Sequence, residues 1–154
     1  MVDETKVPEG YKVTEVGVIP DEWEVFKLGD IIDYTKGFAF KSSDYRKSGV
    51  RIIRVSDTDY DQIKDADEIY IDKSLSHKFK KWKLTEDDII LSTVGSKPPM
   101  YDSMVGKAIK VSLRHEGALL NKNAVKIISK NTNLANQTLI FYNLKTKRYL
   151  LMAR

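Results

Sequence analysis

The spacing of the ordered positions changes once along this chain, and that change limits the folds open to it. Before residue 134, apolar residues come in short β-branched runs closed by Gly, Pro, Asn or Asp. From there on Leu134, Thr138, Phe141 and Leu144 recur at three- and four-residue steps. The first pattern suits strands, whose side chains alternate faces, and the second suits a helix. Asp88–Val94 (DIILSTV) is the strongest strand signal. Val50–Val55, Val105–Val111 and Ala124–Ile128 read as strands and Glu68–Ile71 as a short one. Gly10–Pro20 reads as an extended arm ending in a turn, Gly37–Gly49 as a long loop, and Lys73–Lys83 as a short helix and turn. Asn133 suits the N-cap of the closing helix. The class is therefore α+β: a mixed or antiparallel β-sheet scaffold with short helices and long loops, ending in the start of a long helix. Residues 1–9 are expected to be a flexible tail, 10–133 one domain, and 134–154 the start of that C-terminal helix.

Composition closes off several functions. With 154 residues, 42% of them apolar and including five Phe, eight Tyr and two Trp, the chain can bury a real core. It has no cysteine, which removes disulfides, thiolate zinc sites and a cysteine nucleophile, and accords with a cytoplasmic location. No run approaches the roughly 18 apolar residues of a membrane span. Met1–Pro8 is acidic and polar, unlike a secretion signal.

The net charge of +4 is unevenly spread. Residues 1–96 hold 15 Lys/Arg against 20 Asp/Glu, or −5. Residues 97–154 hold the remaining 11 against Asp102 and Glu116, or +9. One surface should therefore attract an anion.

A search for catalytic groups returns little. His77 and His115, the two histidines, lie outside any metal-ligand spacing and read as surface residues, so no metal is expected. The stretch 57–72, with seven carboxylates against one lysine, is the one candidate for a Mg²⁺-nuclease cluster. Such a run usually forms a solvated face, and that is the expectation here. Glu4-Thr5-Lys6 is a Glu-x-Lys in the tail. No phosphate-cradling glycine motif occurs. Lys97-Pro98-Pro99-Met100 lacks the amide or acid and the aromatic of a methyltransferase base-flipping loop, and reads as a turn. Ser92 and Ser96 lack a nucleophile-elbow setting. No cofactor is expected.

Recognition groups are plentiful by contrast. Lys36–Lys47 carries Lys36, Lys41, Ser42, Ser43, Arg46 and Lys47 with Phe38, Phe40 and Tyr45. Lys78–Lys83 carries four lysines around Phe79 and Trp82, and Ser96–Lys107 carries Lys97, Tyr101, Ser103 and Lys107. Lysines attract phosphate, whereas Arg, Asn and Ser can read base edges. Asn121 and Asn123 are of the amide type that pairs with adenine. The aromatics serve equally well as core. The expected contacts are Lys36, Lys41, Ser42, Arg46, Lys78, Lys80, Lys81, Lys97, Tyr101, Lys107, Asn121 and Asn123.

Four stretches together resemble a known family. Gly10–Pro20 (GYKVTEVGVIP) with Trp23 and Lys27-Leu28-Gly29-Asp30-Ile31 is the first. Gly37–Tyr45 (GFAFKSSDY) with Gly49 and Ile53–Asp57 is the second. Asp87–Ser92 to Gly95-Ser96 is the third, and Leu120–Asn123 with Val125 and Ile127 the fourth. In order and spacing they resemble the specificity (S) subunit of type I restriction-modification systems. The resemblance implies one target-recognition domain with loops facing double-stranded DNA, reading half of a split target. It implies partners too: a methyltransferase (M) subunit and, through the complex, a motor-nuclease (R) subunit, which supply the catalysis in DNA methylation and in defence against foreign DNA. The chain itself would be no enzyme, and the acidic stretch would face away from phosphate. The family has two recognition domains in tandem, and this chain has one. A half-subunit would restore the pair as a homodimer. The alternative is an interaction or assembly domain that no longer reads DNA.

Overall fold

The computed structural model describes residues 7–94, 106–131 and 136–146. In chain order the elements are β1 (Tyr11–Thr14), β2 (Gly17–Pro20), α1 (Leu28–Ile31), β3 (Ile32–Lys36), β4 (Val50–Ile53), β5 (Ile69–Ile71), β6 (Ile89–Ser92), β7 (Ala108–Lys110), β8 (Leu119–Leu120), β9 (Ala124–Ser129) and α2 (Gln137–Leu144). Short 3-10 turns punctuate them, the longest being Lys73–Trp82.

β1 and β2 form a hairpin, the form taken by the expected extended arm. The other strands make two sheets. One has the order β3-β9-β6-β7, all antiparallel. The other has the order β5-β4-β8, with β4 antiparallel to β5 and parallel to β8. The fold is thus the α+β class expected, with mixed and antiparallel sheets and short helices.

Adjacent residues of the central strands point into different cores, as the two-residue strand period requires. Ile53, Ile90 and Leu120 join Ile109, Val111 and Leu84 between the sheets. Their neighbours Ile52 and Leu119 pack outward with Phe40 and Ile71, under the Phe38–Tyr45 loop and the Leu75–Phe79 turn. Ile89 packs the opposite way, with Ile127, Ile140 and Leu144 beneath α2. Strands buried on both faces read as continuous apolar runs, and this explains the strength of the DIILSTV signal. Asn133 lies outside the described residues. The N-cap of α2 is Asn136, whose side chain accepts from the Leu139 amide at 2.8 Å.

Two readings of the sequence are refined. The stretch 57–72 is largely the expected solvated face, with Asp59, Asp61, Asp65, Asp67 and Asp72 exposed, but Asp57, Asp61 and Asp65 also make ion pairs. Asp57 is 2% exposed and holds Arg54 at 2.7 Å. Asp65 is bound by Arg51, by Arg114 at 2.9 Å and by His115 at 3.0 Å. Asp61 takes Lys145, from the end of α2, at 2.9 Å. Burying the Asp57 carboxylate is tolerated because it is paired and hydrogen-bonded. His115 is likewise no surface residue. It is 6% exposed, with one ring nitrogen on Ser112 and the other on Asp65. Periodicity and charge counts do not reveal which carboxylates have partners 50 residues away.

The Asp65 carboxyl is held down to about 2, against an ordinary 3.8, by its hydrogen bonds from His115 and Arg51. A depressed carboxylate pKa stabilises the fold fully above the ordinary value, and that stabilisation is lost as pH falls toward the folded value. Thermal melts from pH 5 to pH 2 should therefore show wild-type Tm falling through the 4-to-2 window. Asp65→Asn should start lower and fall less steeply there. Parallel curves for the two proteins would contradict this role.

Candidate nucleic-acid interface

Phe38, Phe40, Phe79 and Trp82 come from two segments 40 residues apart and pack as one cluster. Phe38 lies 4.9 Å from Phe40, 5.0 Å from Phe79 and 4.6 Å from Trp82, centroid to centroid, and Phe40 lies 4.9 Å from Phe79. Tilted and edge-on rings at these distances contribute beyond their buried area. Of the two uses open to these aromatics, the structure takes the packing one: Phe40 and Phe79 belong to the outer core.

The cluster brings two basic segments together. The Gly37–Tyr45 loop carries Lys41 and Ser42, and follows Lys36 at the end of β3. The Lys73–Trp82 turn carries Lys78, Lys80 and Lys81. All six of these polar residues are exposed. Among the described residues, the ammonium groups of the five lysines make no ion pair. Aromatic packing thus pins the backbone beneath side chains whose charges are left to solvent.

A third segment joins them through the backbone. The Phe38 amide donates to the Leu120 carbonyl at 2.9 Å and the Lys122 amide to the Phe38 carbonyl at 2.8 Å. The Asn121–Asn123 turn therefore sits beside the Lys36–Phe38 exit. Asn123 is exposed and adopts φ +72°, a left-handed conformation that Asn tolerates better than most residues. The Thr93 amide donates to the Asn123 carbonyl at 2.9 Å, so the end of β6 arrives at the same place.

The remaining expected contacts fall elsewhere. Arg46 is exposed, but its guanidinium donates to the Ser43 and Tyr45 carbonyls at 3.0 and 2.9 Å and braces its own loop. Asn121 is 7% exposed, with its side-chain oxygen accepting from the Lys122 amide, so it shapes the turn from inside. Lys107 is 8% exposed, with Nζ 3.3 Å from the Tyr60 ring centroid and no hydrogen-bond partner among the described residues. The ring face offsets part of the cost of burying its charge. Asn121 and Lys107 are therefore corrected from surface contacts to interior groups. Both lie at strand ends, where a polar residue reads as loop until the partner strand is known. Lys97 and Tyr101 lie outside the described residues. Lys122, exposed between the two asparagines, is the cation the sequence reading passed over. Its place in the Asn-Lys-Asn turn was the available signal.

Comparison with known proteins agrees with this architecture. Residues 20–152 match the family described as the type I restriction modification DNA specificity domain, and the chain belongs to that family. It is 26% identical over 136 residues to the type I restriction enzyme MjaVIII specificity subunit of Methanocaldococcus jannaschii, covering 86% of this chain and 30% of that protein. It is 30% identical over 74 residues to the EcoAI specificity subunit of Escherichia coli, covering 48% and 13%. The fold is shared, at a TM-score of 0.61 and 15% identity, with a chain from a structure of a type I R-M system, covering 88% of this chain and 30% of that one. The chain thus spans about a third or less of the relatives it matches. No helix among the described residues is long and apolar enough to cross a membrane.

Gly37 is the tightest point of the interface scaffold. A Cβ there would lie 1.8 Å from the Asn121 carbonyl oxygen, whereas one at Gly29 would meet nothing within 4 Å. Gly37→Ala should cost on the order of 1–3 kcal/mol or more by overpacking. Gly29→Ala should cost little. Chemical denaturation of both variants checks this, and equal midpoints would contradict it.

Proposed function

We propose that this chain is a target-recognition domain that reads one half of a split double-stranded DNA site, as the specificity component of a type I restriction-modification complex. It performs no catalysis in this reading. A methyltransferase subunit and a motor-nuclease subunit would act on the DNA it selects, in the cytoplasm. The observation that carries the reading is the meeting of three backbone-fixed segments whose lysines make no ion pair among the described residues. Family membership over residues 20–152 supports it.

The division of labour follows from chemistry. Lys36, Lys41, Lys78, Lys80 and Lys81 attract phosphates and set register. A hydroxyl at Ser42 and the amide of Asn123 are the groups able to select base edges. Lys122 adds a further phosphate contact. Within the acidic stretch, Asp57, Asp61 and Asp65 are occupied by internal cations, so these three add little repulsion at the DNA face.

Selection from a randomised duplex pool at low and moderate salt tests the reading. An enriched short motif that persists at moderate salt is the expected result. Uniform retention that vanishes with salt would mean phosphate attraction alone, and no retention would favour an assembly domain. Each phosphate contact contributes about 0.9 to the slope of log affinity against log salt. Removing Lys78, Lys80 and Lys81 together should thus flatten that slope by up to about 3, and weaken binding uniformly across sequences. An unchanged slope would exclude the turn from the interface.

A further inference from the structure

Trp82 ties the basic turn to β3 of the four-stranded sheet. Its indole N–H donates to the Lys36 carbonyl at 2.9 Å, across 46 residues. Lys36 ends β3, an edge strand whose outer side no other strand covers among the described residues. A carbonyl there would otherwise turn to water. Its ring packs 4.6 Å from Phe38 and 6.1 Å from Phe79. The next residue, Lys83, bridges to Leu119 of β8, and its carbonyl accepts from Lys126 of β9 at 2.9 Å. Trp82 itself is only part buried. An apolar ring would supply the packing, so the directional N–H has a separate use. It fixes the turn along the strand axis relative to Lys36.

On the reading above, we propose that Trp82 is a positioning residue for base selection. Its N–H holds the lysine turn in register with the Lys36–Phe38 exit and the Asn121–Asn123 turn, so that phosphate contacts on one segment align base-reading groups on another. Lysine phosphate contacts have long flexible stems and tolerate small shifts of the turn. Hydrogen bonds to base edges do not, because they weaken steeply as distance and angle depart from ideal. Losing the N–H therefore lowers selectivity more than it lowers general DNA affinity. A lysine truncation does the opposite.

The test compares wild type, Trp82→Phe and Trp82→Leu. For each, affinity is measured for the motif selected by wild type and for a random duplex, over a range of salt, with Tm recorded alongside. Trp82→Phe keeps an aromatic ring and removes the donor. The ratio of motif to random affinity should fall about two- to tenfold, the equivalent of one net hydrogen bond, with the salt slope unchanged. Trp82→Leu should lower the ratio at least as far. Benzothienylalanine at position 82 replaces the N–H by sulfur at nearly constant shape, and should reproduce the Trp82→Phe effect even if that variant folds poorly. A ratio unchanged in Trp82→Phe and in the benzothienyl protein would overturn the inference. So would a ratio that falls only together with the salt slope, since that marks loss of the whole turn. If wild type itself selects no motif, the DNA-reading proposal fails and this one fails with it.

Discussion

Phe38 and Asn121 face each other where the two sheets join, and their backbones carry the joint. Phe38 follows β3 of the four-stranded sheet, while Asn121 follows β8 of the three-stranded sheet. The Phe38 amide reaches the Leu120 carbonyl, the Lys122 amide returns to the Phe38 carbonyl, and the Asn121 amide reaches Ile53 of β4 at 2.9 Å. Backbones come this close because residue 37 has no side chain. The joint fixes the inter-sheet core on one side and the aromatic cluster on the other. It also sets the Asn-Lys-Asn turn beside the lysine segments. A change at this crossing would disturb stability and the proposed interface together.

Charge is distributed on the same plan. Asp57, Asp61 and Asp65 hold Arg54, Lys145, Arg51, Arg114 and His115. These pairs tie the acidic stretch to β4, to the Leu113–His115 turn and to the end of α2. The lysines of the aromatic-backed segments have no such partners among the described residues. Net charge alone would have hidden this, because paired and unpaired cations count equally in a sum. What separates them is whether the fold brings a carboxylate within reach.

Much of the scaffold was legible in the sequence. β6 and β9 announce themselves by β-branched runs, and the three- and four-residue steps find α2 over Gln137–Leu144, which closes in a turn at Lys145 where a longer helix was expected. The meeting of the Lys36–Tyr45 and Lys78–Lys83 segments was not, because no local rule states that Phe38 will touch Trp82. Nor could a pattern show that Lys107 lies over a tyrosine ring or that Asn121 points inward. Both depend on the strand partner, which is a long-range choice. His115 was misread for the same reason, its partner being 50 residues away in sequence. The family resemblance reached further than the patterns, since it rests on the order and spacing of four stretches between residues 10 and 127.

Amide hydrogen exchange on the chain bound to its selected duplex tests most directly where DNA sits. The account predicts slowed exchange in residues 36–45, 73–83 and 121–123, with the acidic belt and the exposed side of α2 unchanged. Protection confined to α2 or to the β1–β2 hairpin, with the three lysine-bearing segments unaffected, would contradict it.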